Sequence, residues 1–272
     1  MRALEVRGLS CAYDRSLVFS GVDLDLEEGS ITAILGPNGC GKTTLLRSLA
    51  GLLRPGTGSI RIRGTEERSS LGEWIELGTM AMGERASRIG FVPQDVEATF
   101  GYTALQMVLM GRSGRLGIFG VPDQTDETLA RQELEHLGIA HLGERSLHSM
   151  SGGERRLVLI ARALVTEAKI LLLDEPTAHL DFRNQLLVHR ILDELTAKRG
   201  ITVAFSTHLP TDAFGTASHA LLMSRENTHT FGPIEEVVTT ESLLHAFRVH
   251  ARIIEVPING KPNHVVVPER PV

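Results

Sequence analysis

Gly36-Pro37-Asn38-Gly39-Cys40-Gly41-Lys42-Thr43-Thr44 decides the fold, because it satisfies G-x-x-x-x-G-K-[ST] where phosphate binding requires it. Before it, Ser30-Ile31-Thr32-Ala33-Ile34-Leu35 is an apolar run of strand length. After it, Leu45, Leu46, Leu49 and Leu53 keep helical spacing until Arg54-Pro55-Gly56 ends the pattern. A strand feeding a glycine-rich loop and then a helix N-terminus aims several backbone N–H groups, with the positive end of the helix dipole, at one point. That point is a predicted phosphate site. Glycines let the loop approach the phosphates closely, Lys42 is expected to reach the β- and γ-phosphates, and the Thr43 hydroxyl to ligate Mg²⁺.

Composition bounds the rest. With 272 residues, 42% hydrophobic and 22% charged, the chain can bury one large core or two modest ones without staples. Cys11 and Cys40 are far apart and suggest neither a disulfide framework nor a metal site, which fits a reducing cytoplasm. The N-terminus lacks the apolar core of a secretory signal. The most apolar stretch, Leu157 to Leu173, is interrupted by Arg162, Glu167 and Lys169, so no membrane span is expected. A net charge of −5 with both signs interspersed gives no basic face for nucleic acid.

Along the chain, Leu4, Val6 and Leu9, then Val22, Leu24 and Leu26, alternate as strands of a small β-layer, with Tyr13 in the loop between them. Ser59 to Gly64 reads as a half-exposed strand, and Thr65 to Ser87 as a variable or partly helical excursion. Ile89-Gly90-Phe91-Val92-Pro93 is a buried strand stopped by its proline, which leaves Gln94 at the strand end where open α/β sheets meet ligands. From Thr103 to about Arg145 the pattern is helical around a Gly114 to Pro122 loop. It closes at Ser151-Gly152-Gly153-Glu154, where Ser151 and Glu154 have capping-box spacing before Leu157, Ile160, Ala161 and Leu164. A capped glycine-bearing helix start is a second potential anion site, although a well-made cap alone also explains it.

Lys169-Ile170-Leu171-Leu172-Leu173-Asp174-Glu175-Pro176 reads as a central parallel strand that delivers two acids at its C-terminal edge. Asp174 can hold Mg²⁺ through water, and Glu175 can polarise an attacking water. A helix carrying Leu186, Leu187, Ile191 and Leu195 follows, and then a strand from Thr202 to Ser206 ending at Thr207-His208. His208 is the one histidine whose position, at a strand's C-terminal edge, suggests chemistry. Ala220 to Met223 is expected to be the last core strand, with Ser242 to Val272 a short mixed tail.

Together these residues resemble the nucleotide-binding subunit of ATP-binding cassette transporters, over nearly the whole chain and with the motifs in the family's order. The resemblance implies a P-loop NTPase (RecA-like) α/β core, an N-terminal antiparallel β-subdomain and an inserted helical subdomain at about 96–155, within an ATPase domain of 1–241 and an appendage of 242–272. Tyr13 matches the adenine-stacking aromatic, Gly36 to Thr44 the Walker A loop and Gln94 the Q-loop glutamine. Ser151-Gly152-Gly153-Glu154 matches the family signature, Asp174 and Glu175 Walker B with its catalytic glutamate, His179-Leu180-Asp181 the D-loop, and His208 the switch histidine. Met150 stands where the signature usually begins with leucine, and Ala178-His179 replaces the commoner Ser-Ala. Neither change touches a phosphate ligand.

A finer similarity is to importers of metal chelates such as ferric siderophores, haem or cobalamin. It rests on Val108-Leu109-Met110-Gly111-Arg112, on Ala178 to Phe182 with Asn184-Gln185, and on Phe231-Gly232-Pro233 followed by the Val237 to Phe247 stretch. The implied partners are a second copy of the chain, transmembrane permease subunits and, indirectly, a solute-binding protein, at the inner face of the membrane. The implied ligands are ATP and Mg²⁺, the metal held by Thr43, Gln94 and Asp174. In the implied head-to-tail pair Ser151 and Gly153 meet the partner's ATP in trans, with Gly152 and Asp181 alongside. The rival readings are an exporter subunit and a soluble cassette ATPase acting on nucleic acid or ribosomes. Long coiled-coil insertions or paired cassettes usual in the latter are lacking, and the acidic balance disfavours it.

Overall fold

A computed structural model of the chain describes residues 1–13, 16–64, 73–94, 101–114, 120–258 and 261–272. The antiparallel pair β1 (Arg2–Tyr13) and β2 (Ser16–Glu27) places Leu4 opposite Leu26, Val6 opposite Leu24 and Leu9 opposite Val22. One apolar set therefore faces inward from both strands. Next come β3 (Ile31–Leu35), α1 (Lys42–Leu49), β4 (Thr57–Arg63), β5 (Trp74–Glu76), α2 (Met82–Arg88) and β6 (Ile89–Val92). The first sheet has the order β2-β1-β4-β5.

Between β6 and the next strand lie α3 (Ala104–Leu109), α4 (Gln124–His136) and α5 (Gly152–Leu164), followed by β7 (Ile170–Leu173), α6 (Phe182–Arg199), β8 (Thr202–Thr207), α7 (Pro210–Thr216) and β9 (His219–Met223). The chain ends with β10 (His229–Pro233), α8 (Ile234–Val237), α9 (Thr240–Phe247) and a hairpin, β11 (Val249–Ile258) with β12 (Lys261–Pro271). The central sheet runs β10-β9-β3-β8-β7-β6, parallel except for the edge strand β10.

Strand periodicity divides the interior into two cores. Ala33, Leu171, Leu173, Val203, Phe205 and Leu222 face the helices α3 to α6, whereas Ile34, Ile170, Leu172, Ala204, Leu221 and Met223 face α1 and the antiparallel sheet. Such strands have no solvated face, which is why they read as unbroken apolar runs. Phe205 is fully buried, and truncation to alanine at such a position costs about 3–5 kcal/mol.

Several expectations are refined. The first helix stops at Leu49 rather than continuing through Leu53, because Gly51 takes a left-handed φ of 67°. Tyr13 is the last residue of β1, not a loop residue. Within Thr65 to Ser87, residues 65–72 lie outside the described residues, and the remainder forms β5, a 3₁₀ turn and α2. The Gly114 to Pro122 loop is described only at its ends. Ala220 to Met223 is not the last strand, since β10 pairs beyond it. On α6 the buried face is Val188, Ile191, Leu192 and Leu195, whereas Leu186 is exposed. The tail after Ser242 completes α9 and forms the β11–β12 hairpin.

The Gly111-Arg112 pair is a packing device. An alanine at 111 would collide with the Arg162 carbonyl of α5, and Arg112 donates to Asp126 Oδ1 at 2.6 Å, Glu167 Oε2 at 2.9 Å and the Val165 carbonyl at 2.9 Å. One buried cation thus ties α4 to the C-terminal end of α5. Among the described residues no helix is long and apolar enough to cross a membrane.

Candidate functional site

The site is assembled at the C-terminal edges of β3, β7 and β8. A Cβ on Gly36 would stand 2.5 Å from the Met223 carbonyl oxygen and 2.7 Å from Cys40 Sγ, so only glycine fits where the chain leaves β3. Gly39 and Gly41 take φ values of 84° and 105°, which L side chains rarely adopt. Gly41 is the N-cap of α1 and offers no side-chain acceptor to the first turn, leaving those N–H groups available to an anion. Burial pushes the Cys40 thiol up, with Lys42 nearby pulling it partly back.

Lys42 is 5% exposed, and its Nζ donates to the carbonyls of Gly36 at 2.9 Å and Pro37 at 3.3 Å while standing 3.6 Å from Glu175 Oε1. Asp174 Oδ1 accepts from Thr43 Oγ1 at 3.1 Å and from Ser206 Oγ at 2.6 Å, and Ser206 Oγ in turn accepts from the Glu175 N–H at 2.9 Å. Glu175 holds a strained φ of 43°. His208 Nδ1 lies 3.3 Å from Glu175 Oε2, off the line of a hydrogen bond. The phosphate loop, both acids and the histidine therefore form one connected cluster. Its Thr43 and Asp174 oxygens are hard donors suited to Mg²⁺.

Gln94 follows β6, where Arg156 of α5 donates to its carbonyl at 2.6 Å and to that of Pro93 at 2.8 Å. The segment after it, 95–100, lies outside the described residues. Tyr13 is 46% exposed at the end of β1. Ser151 and Glu154 make the expected reciprocal cap, Ser151 Oγ accepting from the Glu154 N–H at 3.2 Å and Glu154 Oε2 from the Ser151 N–H at 2.8 Å. Gly152 and Gly153 pack against Leu180 and Asn184, and Asp181 caps α6 by accepting from the Asn184 N–H at 2.8 Å.

Ser151, Gly152, Gly153 and Asp181 thus form a second group. Among the described residues no direct hydrogen bond or ion pair joins Ser151 or Asp181 to the Lys42 cluster. The backbone turn from Glu175 to Leu180 connects the two groups. A cavity of about 340 Å³ lined by Phe214, Ser218, Ile234 and His264 belongs to neither, because Ser218 binds the N-terminal end of β3, opposite the phosphate loop.

Ser206, Arg156 and Arg225 were not singled out from sequence. The one available signal was for Ser206, a hydroxyl in an otherwise apolar strand next to Thr207-His208.

A family model described as "ABC transporter" matches residues 19–178. The molybdate import ATP-binding protein MolC of Haemophilus influenzae is 38% identical over 249 residues, 91% of this chain and 89% of that protein. The ferric enterobactin transport ATP-binding protein FepC of Escherichia coli is 33% identical over 260 residues, 96% of this chain and 92% of that protein. A solved structure described as a metal-chelate type ABC transporter in an inward-facing conformation is similar with a TM-score of 0.86 and 35% identity, covering 99% of this chain and 98% of that chain.

Proposed function

We infer that this chain, which belongs to the ABC transporter family, is the ATP-hydrolysing subunit of an importer whose cargo contains a metal. The observation that carries the reading is the connected cluster of Lys42, Thr43, Asp174, Glu175 and His208 at adjoining strand ends. The metal-chelate relatives favour a ferric siderophore or similar chelate, and the molybdate relative adds an oxyanion to the candidates.

In the proposed mechanism the uncapped N-terminus of α1 and the loop N–H groups bind the phosphates, and Lys42 exchanges its bonds to Gly36, Pro37 and Glu175 for the γ-phosphate. Thr43, Asp174 and Gln94 would hold Mg²⁺, which would supply neutralisation of the phosphate charge. Glu175, released from Lys42, orients the attacking water, and His208 contacts the γ-phosphate from the neighbouring strand end. Tyr13 offers a ring to the base.

Because Ser151 to Gly153 stand apart from the chain's own phosphate loop, we assign them to the γ-phosphate of a second copy in a head-to-tail pair. ATP then favours the closed pair, which alone supplies both sets of ligands, and hydrolysis releases it. Permease subunits would receive this closure through Gln94 and the helices between β6 and β7. Glu175→Gln with saturating MgATP is the test. A stable dimer on gel filtration is expected, and a monomer overturns the trans assignment.

A further inference from the structure

The turn between β9 and β10 touches more of the nucleotide site than its sequence announced. Asn227 takes a left-handed φ of 63°, accepts from the Ser20 N–H at 2.8 Å and donates to Ser20 Oγ at 2.7 Å, which fixes the turn to β2. Ser224 Oγ accepts from the N–H groups of Glu226 at 3.1 Å and Thr228 at 3.3 Å, so the turn is internally closed. On its far side Glu226 pairs with Arg248, and Thr228 Oγ1 lies 3.1 Å from His245 Nε2, which ties it to α9. A turn held from both flanks presents Arg225 in a defined place.

From there Arg225 Nε donates to the Asn38 carbonyl at 3.1 Å. Gly36, Pro37 and Asn38 are consecutive, and all three carbonyls are taken by cations: the first two by Lys42, the third by Arg225. In a trans peptide the C=O and the following N–H point in opposite directions, so fixing the Asn38 carbonyl also fixes the Gly39 N–H. Lys42 is assigned a second task, the phosphate, whereas Arg225 is placed to stay on the Asn38 carbonyl.

We propose that Arg225 is a positioning residue for ATP binding: it holds the tip of the phosphate loop so that the Gly39 N–H faces the phosphates before nucleotide arrives. The proposal rests on the assignment of this loop to ATP and extends it to a residue 187 positions away. Because the loop is oriented equally in the ground and transition states, the effect falls on affinity and spares turnover.

The test compares wild type, Arg225→Ala and Arg225→Gln in the full chain, measuring the Kd of a fluorescent ATP analogue, KM and kcat for MgATP, and the melting temperature. Glutamine places Nε2 where arginine has Nε and so keeps the hydrogen bond without the charge. Arg225→Ala is expected to raise Kd and KM about three- to tenfold, the scale of one hydrogen bond, with kcat within twofold and the melting temperature unchanged. Arg225→Gln is expected to recover most of that loss. An unaltered KM in Arg225→Ala, a fall in kcat alone, or a glutamine variant as weak as alanine overturns the positioning role. Wild type that binds no ATP overturns the nucleotide assignment itself, and this proposal with it.

Discussion

The Asn184 carboxamide lies against the α-carbon of Gly153, so closely that a Cβ there would stand 2.6 Å from Asn184 Cγ and Nδ2. Asn184 is also held by Asp181, its Nδ2 donating to Oδ2 at 3.1 Å. Any side chain at this tip of α5 would therefore have to displace the Asn184 carboxamide from its place beside Asp181, apart from any phosphate it meets. Gly153→Ala should displace Asn184 and break its bond to Asp181, at a cost of about 1 kcal/mol, the scale of one hydrogen bond. Adding Asn184→Ala should recover most of that loss, and thermal denaturation of the four members of the cycle measures the coupling.

Ser206 Oγ donates to Asp174 and accepts from the Glu175 N–H, both at the end of β7. Ser206→Ala removes both bonds at a fully buried position and frees the two acids to reorient. Hydrolysis is expected to fall about tenfold or more with KM for ATP little changed. A phosphate-release assay over a range of ATP concentrations separates the two quantities.

Lys42 carries the charge that now neutralises Glu175. Lys42→Ala should lower ATP hydrolysis by at least about a hundredfold, the scale of removing one group that stabilises transition-state charge. Unchanged turnover would place the phosphate site elsewhere.

The Ser151 N–H holds the Glu154 carboxyl below the usual carboxylate range, against the opposing effect of burial. A carboxyl whose pKa is depressed in the folded state adds stability above its ordinary range, and that contribution is lost as pH falls through the depressed value. Glu154→Gln keeps the cap but cannot titrate. Its melting temperature should therefore decline less than that of wild type as the pH is lowered past about 4.

The local motifs were legible because each is specified by neighbours in the chain. The phosphate loop needs glycines and a lysine at set intervals, the cap of α5 needs Ser151 and Glu154 three residues apart, and β7 needs an apolar run before its acids. Elsewhere local pattern misled or fell silent. The α6 face was read as Leu186, Leu187, Ile191 and Leu195, but the helix buries Val188 and Leu192 and exposes Leu186, since the core it meets selects the stripe. The described part of Thr65 to Ser87, from residue 73 on, has no period because β5 is an edge of three residues and α2 buries no side chain.

Sequence by itself determined the α/β class, the family and the positions of the phosphate loop, the paired acids, the capped helix and the histidine, since each depends on spacing over a few residues. Tertiary structure alone decided that Ser206 would bridge the two acids, that Asn184 would fill the space beside Gly153, and that Arg225 would reach Asn38. Those contacts join residues tens to nearly two hundred positions apart: the parallel sheet, by stacking β9, β3, β8 and β7 in a common register, brings the strand ends near Arg225, Asn38, Ser206 and Asp174 to one edge, and the tips of α5 and α6 bring Gly153 and Asn184 together.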